Sequence, residues 1–196
     1  MLKRLFDIFF SLIGLIFLGI PFLAIAIFIL LDSKGGIFYK QTRVGKDGED
    51  FKLWKFRSMR TDADKLGLLT VGGRDSRITK FGYFIRKYKI DELPQLINVL
   101  TGSMSLVGPR PEVRKYVDMY TVEQLNVLSV KPGITDHASI EYRNENEILG
   151  RSIDPEQVYI NEIMPAKLKL NLKYIHEKSI RTDLKIIFRT IGKILS

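Results

Sequence analysis

The sequence predicts an α+β membrane protein, and three observations support that class. An uncharged apolar run extends from Ile8 to Leu31. Two strand-like segments follow it on either side of a glycine-containing turn, and much of the remaining chain carries apolar residues at helical spacing. Because 196 residues suffice for one domain with a real core, we expect one folding unit. It consists of a membrane helix at 1–34 and a mainly helical domain at 35–196.

Charge and cysteine content narrow the functional classes. The formal net charge is +9, and residues 165–196 carry eight Lys and Arg side chains against only Glu177 and Asp183. A basic segment of this kind suits an anionic membrane surface or nucleic acid. The chain has no cysteine, which excludes disulfides and thiolate zinc sites, so any metal would be held by oxygen ligands.

The apolar run is long enough to enter a membrane. It makes about 36 Å of helix, against a hydrocarbon core of roughly 30 Å. Lys3 and Arg4 precede it and Lys34 follows it, so the positive-inside bias pulls both ends towards the cytoplasm. Pro21 removes a backbone hydrogen bond near its middle and predicts a kink. The residues alone favour a kinked transmembrane span and leave open a helix that turns back at Pro21.

A short β-hairpin is predicted after the apolar run. Its strands, at 37–39 and 51–56, flank the turn-rich residues 45–48. Apolar residues occur on both faces of the second strand, so the pattern does not say which face is buried. A hairpin that lies against the membrane would explain this.

Several further helices are predicted. We expect a short helix at 62–66, an amphipathic helix within 78–88, and a helix across 112–130 that is interrupted by Thr121 as an N-cap. Residues 131–135 predict a tight turn. At the C-terminus, one apolar and one basic stripe at helical spacing predict an amphipathic helix on the membrane surface, with core or partner packing as the alternative. The apolar stripe is Ile180, Leu184, Ile187, Phe188, Ile191 and Leu195, and the basic stripe is Lys185, Arg189 and Lys193.

The segment from Lys89 to Pro111 combines adjacent carboxylates, a helix start and a basic turn. Asp91 is a good N-cap residue, and the apolar spacing predicts a helix from about Glu92 to Leu100 that ends at Gly102. Free N–H groups at such a helix start favour anions. A capped core helix is the alternative interpretation of an isolated Asp-Glu pair.

Arg110 lies between Pro109 and Pro111, whose fixed φ angles hold its direction, and a fixed guanidinium suits a phosphate. Four segments, WKFRSM, IDELPQLINVL, SMSLVGPRP and KPGIT, follow one another along the chain. In order and spacing they resemble the small monotopic phosphoglycosyl transferases, a family of bacterial sugar transferases. The likeness covers nearly the whole chain, and four ordered motifs are far more specific than one.

The resemblance implies a covalent mechanism. Asp91 would attack the β-phosphate of a nucleoside diphosphate sugar, expected to be a UDP-sugar, and form a phosphosugar-aspartyl intermediate. A polyprenol phosphate would then take the phosphosugar, in the first membrane step of glycoconjugate and polysaccharide assembly. Glu92 would orient its neighbours or handle a proton. Mg²⁺, held in part by Asp91, would neutralise the phosphate oxygens together with arginines.

The resemblance also implies which other residues meet the substrate and how the protein sits in the membrane. Taken alone, Lys55 and Arg57 are explained equally well as solvated strand charges. The N-terminal helix would be re-entrant, turning back at Pro21, so that the active site faces the cytoplasm at the bacterial inner membrane. The substrate-binding residues so implied are Arg43, Lys55, Arg57, Arg86, Pro109 and Arg110.

The chain departs from the family pattern in two places. Ile20 precedes Pro21 where relatives often have serine, and residues 136–139 read Asp-His-Ala-Ser where many relatives have Gly-Trp-Ala-Gln. The second departure means that donor choice is not inherited from better-known members. The sugar, the nucleotide and the pathway therefore stay open, as does the choice between a monomer and a homo-oligomer.

A non-enzymatic function is the rival hypothesis. A membrane-tethered module could use the basic face to bind anionic lipid or nucleic acid. The sequence contains neither a nucleic-acid motif nor a basic sheet with interleaved aromatics, so we expect no nucleic-acid partner. The expected partners are a nucleoside diphosphate sugar, polyprenol phosphate and the lipid bilayer.

Overall fold

The computed structural model describes residues 1–63, 67, 69–72 and 75–195. Within this part of the chain it combines helices with two small sheets around one long apolar N-terminal helix, which confirms the mixed α+β class. The elements are α1 (Leu2–Asp32), β1 (Phe38–Val44), β2 (Asp50–Phe56), α2 (Lys80–Lys87), α3 (Gln95–Thr101), β3 (Ser105–Val107), α4 (Arg114–Val117), β4 (Gly133–Thr135), α5 (His137–Glu141), α6 (Glu145–Gly150), α7 (Pro155–Val158), α8 (Met164–Glu177) and α9 (Ile180–Leu195).

The helix α1 runs without interruption through Pro21. In the described residues it is the one helix long and apolar enough, by length and composition, to cross a membrane. Ile16, Phe17, Ile20 and Leu23 on its surface are exposed. An exposed apolar surface of this size marks an interaction site, and hydrocarbon suits these side chains better than water. Membrane association fits this helix, and its re-entrant path stays a prediction.

The N-terminal end of α1 is bound to the rest of the chain by charged side chains. Lys3 pairs with the buried carboxylate of Asp183 and also donates to the carbonyl oxygen of Val107 at 3.1 Å. Asp7 is buried and accepts a hydrogen bond from the backbone N–H of Leu106 at 3.0 Å. These contacts fix the first two turns of α1 against β3 and α9.

The C-terminal end of α1 is bound to the same domain. Arg57 donates to the carbonyl oxygens of Ile29 and Ser33 at 3.2 and 2.6 Å. The Ile29 carbonyl also accepts from the backbone N–H of Ser33, so the guanidinium reinforces the end of the helix. Phe22 packs edge-on against Phe56, with ring centroids 4.9 Å apart. Ile29 and Phe56 are buried together in one apolar cluster. α1 is therefore part of the domain core, although most of its apolar surface is exposed.

The predicted β-hairpin is present. β1 and β2 pair antiparallel from Phe38↔Phe56 to Val44↔Asp50, around a 3-10 turn at Lys46–Gly48. β1 is longer than predicted. Next in sequence, the helix expected at 62–66 lies largely outside the described residues, whereas the amphipathic helix within 78–88 is confirmed as α2.

The prediction that Asp91 caps a helix is wrong. Asp91 and Glu92 lie in a 3-10 turn, Ile90–Glu92, and α3 begins only after Pro94. α2 ends at Lys87, so the connection is short, and Lys89 with φ 56° turns the chain back before the acidic pair. A left-handed conformation at a non-glycine residue is costly and is typical of functional sites.

The stretch 112–135 also differs from the prediction. The predicted helix across 112–130, interrupted at Thr121, is present only as the short α4 and a 3-10 segment at Gln124–Ser129, because residues 118–123 are mostly exposed and provide no buried face. Thr121 does cap the second piece, since its Oγ1 accepts from the backbone N–H of Gln124 at 3.3 Å.

The expected tight turn at 131–135 is instead a strand. β3 and β4 pair in parallel, with Ser105 opposite Gly133 and Val107 opposite Thr135. A Cβ atom on Gly133 would lie 2.0 Å from the backbone nitrogen of Gly108, so this approach requires glycine. The pairing brings the Gly108–Pro111 loop beside the start of α5.

The helix α9 divides its apolar residues between two sides. Ile186 is fully buried, and Ile187 packs against the same cluster with Tyr174. Leu184, Phe188 and Ile191 of the predicted stripe are exposed, while the side chain of Leu195 lies outside the described residues. One face of α9 thus packs on the domain, and the exposed face suits the predicted membrane surface.

Candidate active site

Asp91 and Glu92 lie at the wall of the main cleft. They are only 4% and 7% exposed, and the cleft has a volume of about 750 Å³. Eleven Lys and Arg side chains and five Asp and Glu side chains line it in the described part of the chain. A concave, strongly cationic site of this kind concentrates anionic ligands.

Glu92 is held by two cations. Its Oε2 accepts from Nη1 of Arg110 at 3.0 Å, and its Oε1 accepts from Nη2 of the same guanidinium. Lys55 donates to Oε1 at 3.2 Å. Burial disfavours the charged carboxylate, but Arg110 and Lys55 outweigh burial and hold the pKa of Glu92 well below its usual range. Glu92 is therefore ionised, and both of its carboxylate oxygens already accept hydrogen bonds. This arrangement suits an orienting residue better than a proton carrier.

Asp91 has the opposite environment. Burial raises its pKa above the usual range, while the charge of Lys55 acts against this shift. Its Oδ1 is buried without a hydrogen-bond partner. Buried polar atoms are nearly always bonded, so this oxygen has unused capacity to accept a bond. A carboxylate oxygen of this kind can act as a nucleophile or as a metal ligand.

Arg110 is positioned by a residue that the sequence reasoning did not assign. Its backbone N–H donates to Oδ2 of Asp136 at 3.0 Å. Asp136 is fully buried and also caps α5, because Oδ1 accepts from the N–H of Ser139 at 2.5 Å. An aspartate directly before a short helix is an N-cap signal, which could have indicated the cap but not the bond to Arg110.

Arg43 and Arg57 line the cleft but are already occupied. Arg43 donates from Nη1 to Glu112 at 2.9 Å and to the carbonyl oxygen of Pro111 at 3.1 Å. Arg57 binds the end of α1. The contacts support structural roles: Arg43 braces the loop that carries Arg110, and Arg57 braces the membrane helix. Their substrate-binding roles stay predictions.

Arg86 and Pro109 complete the predicted set. Arg86 lines the cleft and donates to Oγ1 of Thr70 at 3.0 Å. Pro109 is not among the cleft-lining residues, and its carbonyl oxygen accepts from Gly133 at 3.0 Å. Arg86 is thus placed where a substrate phosphate could reach it, whereas Pro109 shapes the loop beside Arg110.

The pKa of Lys55 leads us to expect that activity falls at alkaline pH. Burial lowers its pKa to about 8, although Glu92 acts against the shift. The side chain is charged below that pH and loses its charge as the pH rises through about 8, so affinity for an anionic substrate should fall there. Lys55→Arg stays charged and should move the alkaline fall in kcat/KM to higher pH. Superimposable pH profiles of the variant and the wild type would contradict this role.

A buried acidic pair, a cationic cleft and a long apolar helix fit the class of membrane-associated enzymes that act on phosphate groups. The chain belongs to the bacterial sugar transferase family, whose model matches residues 1–196. Residues from each of the four segments WKFRSM, IDELPQLINVL, SMSLVGPRP and KPGIT line the one cleft.

Several bacterial sugar-phosphate transferases are similar in sequence to almost the whole chain. The UDP-glucose:undecaprenyl-phosphate glucose-1-phosphate transferase of Escherichia coli K12 is 37% identical over 98% of this chain and 40% of that protein. The UDP-N-acetylgalactosamine-undecaprenyl-phosphate N-acetylgalactosaminephosphotransferase of Aeromonas hydrophila is 37% identical over 100% and 44%. The chain thus spans less than half the length of these two relatives. The uncharacterized sugar transferase EpsL of Bacillus subtilis 168 is 39% identical over 99% of this chain and 87% of that protein.

Proposed function

We propose that this protein is a phosphoglycosyl transferase that moves a phosphosugar from a UDP-sugar to a polyprenol phosphate through a covalent intermediate on Asp91. The unpartnered, buried Oδ1 of Asp91 in a cationic cleft is the observation that carries the proposal. The names of two relatives, which specify a UDP-sugar and undecaprenyl phosphate, support the substrate classes.

The proposed reaction has two phosphoryl transfers. In the first, the carboxylate of Asp91 attacks the β-phosphorus of the donor, a P–O bond to Asp91 forms, and the bond to the departing nucleoside monophosphate breaks. In the second, a phosphate oxygen of the polyprenol phosphate attacks the same phosphorus. This step releases Asp91 as a carboxylate and yields a polyprenyl diphosphosugar.

A carboxylate and a diphosphate repel each other, and the neighbouring cations reduce this repulsion. Glu92 fixes Arg110 by a bidentate contact, so the guanidinium is held in the cleft that Asp91 also lines before the substrate arrives. Lys55 adds a second buried cation. Positioned cations of this kind stabilise charge that develops on phosphate oxygens in the transition state.

The residues fit the Mg²⁺ that the family implies. The described residues contain no group of three or more Asp, Glu, His or Cys side chains that could hold a metal. Mg²⁺ is commonly bound by one or two carboxylates together with substrate phosphates and water. The free Oδ1 of Asp91 provides such a ligand, and a bound Mg²⁺ would neutralise charge on the donor diphosphate.

The function is tested by nucleotide release. The full chain in detergent or nanodiscs is incubated with UDP-glucose, UDP-galactose, UDP-N-acetylglucosamine or UDP-N-acetylgalactosamine, with and without undecaprenyl phosphate. We expect UMP release and a polyprenyl diphosphosugar from at least one donor, loss of both in EDTA, and recovery with Mg²⁺. Lipid binding without UMP release from any donor would instead favour the membrane-tethered binding module.

We also propose that α1 does not cross the bilayer and that the active site faces the cytoplasm at the inner membrane. The first turns of α1 are bound to β3 and α9, and its last turn is bound through Arg57. When both ends of a helix contact the same domain, they are more readily placed on one side of a membrane than on opposite sides. The cationic residues Lys3, Arg4 and Lys34 at its ends agree with this arrangement.

The topology is tested by labelling introduced cysteines, because the natural chain has none. Cysteines at positions 2 and 36 should both react with a membrane-impermeant reagent in inverted vesicles, which expose the cytoplasmic face, and should not react in right-side-out vesicles. Position 35 is avoided, because a Cβ atom on Gly35 would lie 1.8 Å from Nη1 of Arg57. Pro21→Ala should favour a straight helix and shift a fraction of molecules towards spanning. Labelling of the two positions from opposite sides would refute the re-entrant topology.

A further inference from the structure

The cleft has a second group of unpartnered polar atoms away from the acidic pair. Asn171 on α8 is 4% exposed, and its Oδ1 is buried without a hydrogen-bond partner. The hydroxyl oxygen of Ser139 on α5 is in the same condition. Both residues line the cleft that contains Asp91. Apart from the Oδ1 of Asp91, these are the cleft-lining oxygens in this state within the described residues.

These two atoms belong to neutral side chains, and the lysine of α8 that lines the cleft, Lys167, is paired with Glu145 at 2.7 Å. α5 and α8 pack against each other, and the nearby hydroxyls of Thr135 and Thr190, which also line the cleft, bond to each other at 2.6 Å. The four polar side chains are neutral. Neutral hydrogen-bonding groups suit hydroxyl and N–H groups, whereas the cations beside Asp91 suit phosphates.

We propose that Ser139 and Asn171 form a neutral subsite that binds hydroxyl or N–H groups on the part of the donor outside its diphosphate. This inference rests on the proposed function and extends it to donor selection. The Oδ1 of Asn171 accepts a hydrogen bond from the ligand, and the Ser139 hydroxyl can donate or accept one. A site built around such atoms rejects ligands that leave them unpaired.

The two unpartnered atoms should have opposite effects on the stability of the donor-free protein and on its affinity for the donor. A buried polar atom without a partner destabilises the ligand-free protein, so its removal should not lower stability. Asn171→Leu has a similar volume and removes the amide. We expect the thermal midpoint of the donor-free variant to equal or exceed that of the wild type, while its donor affinity falls. A purely structural asparagine would show the reverse pattern.

The test measures donor binding separately from turnover. Asn171→Leu and Ser139→Ala are each made in the Asp91→Asn background, and Kd for the four UDP-sugars and for UMP is measured by calorimetry in nanodiscs. We expect a rise in donor Kd of about three- to tenfold for each variant. Asn161→Leu is the matched control, because Asn161 is exposed and lies outside the cleft lining, and it should leave Kd unchanged.

Binding of UMP distinguishes the nucleoside part of the donor from its sugar part. A parallel rise in the Kd of UMP places the nucleoside in the subsite, whereas an unchanged UMP Kd with altered ranking of the four sugars places the sugar there. Equal donor Kd values in variant and control, or a lower thermal midpoint with unchanged Kd, would overturn the subsite. Failure of the proposed function looks different: wild-type protein would release no UMP even where donors bind.

Discussion

Asp91→Asn should abolish both the covalent intermediate and turnover, with activity reduced by at least about a thousandfold. The amide keeps the shape of the side chain but is neither a nucleophile of this kind nor a good Mg²⁺ ligand. Because burial opposes the charge of Asp91, removal of that charge should leave the thermal midpoint unchanged or higher. Loss of activity would then report chemistry and not unfolding.

The intermediate itself is the decisive measurement. Protein is incubated with the active UDP-sugar without acceptor, and its peptides are analysed by mass spectrometry for a phosphosugar on Asp91. Glu92→Gln is the informative companion, since it should impair turnover while allowing some adduct to form. A phosphosugar on Glu92 would reverse the two assignments. Turnover that needs donor and acceptor bound together, with no adduct, would refute the covalent mechanism.

Arg110→Lys should lower kcat/KM by about ten- to a hundredfold although the charge is kept. In the structure both terminal nitrogens of Arg110 bind Glu92, and a lysine cannot form that fork. Glu92 would then lack one of its two hydrogen bonds to Arg110 in a buried position, which is costly, and the cation at position 110 would lose its fixed direction in the cleft.

Kinetics in nanodiscs, with thermal midpoints as a check on folding, would measure this effect. Arg114→Lys is the matched control, because Arg114 pairs with Asp50 at 2.6 Å at an exposed position outside the cleft and should tolerate the change. Equal kinetics for Arg110→Lys and Arg114→Lys would mean that the fork at Glu92 has no role in the reaction.

The sequence predicted the elements whose signals are local. The hairpin, α2 and the apolar α1 each show a composition or a period within one continuous stretch. The β3–β4 pair does not, since each strand has three residues and their partners are distant in sequence. The error at Asp91 is also local, because a positive φ at a lysine such as Lys89 has no residue signature, unlike a glycine.

The candidate site was predicted to a similar extent. The acidic pair and Arg110 carry recognisable motifs, and the structure brings them into direct contact at Glu92. The role of Asp136 depends on a bond across the fold, and no spacing in the sequence reports it. Arg57 shows the converse, because its motif suggests a substrate contact while its guanidinium is directed to the carbonyls of α1.

The attachment of α1 at both ends has a consequence for how the protein is made. α1 is synthesised before α9, because Asp183, the partner of Lys3, lies 180 positions later in the chain. Until α9 is synthesised, the charged first turn of α1 lacks that partner, and the N-terminal end of α1 is not yet held against the domain by Asp183. Completion of α9 then closes the domain onto the helix, so the N-terminal end of α1 is fixed in the fold only after α9 has formed. Removal of α1 would delete part of the core instead of releasing a soluble domain.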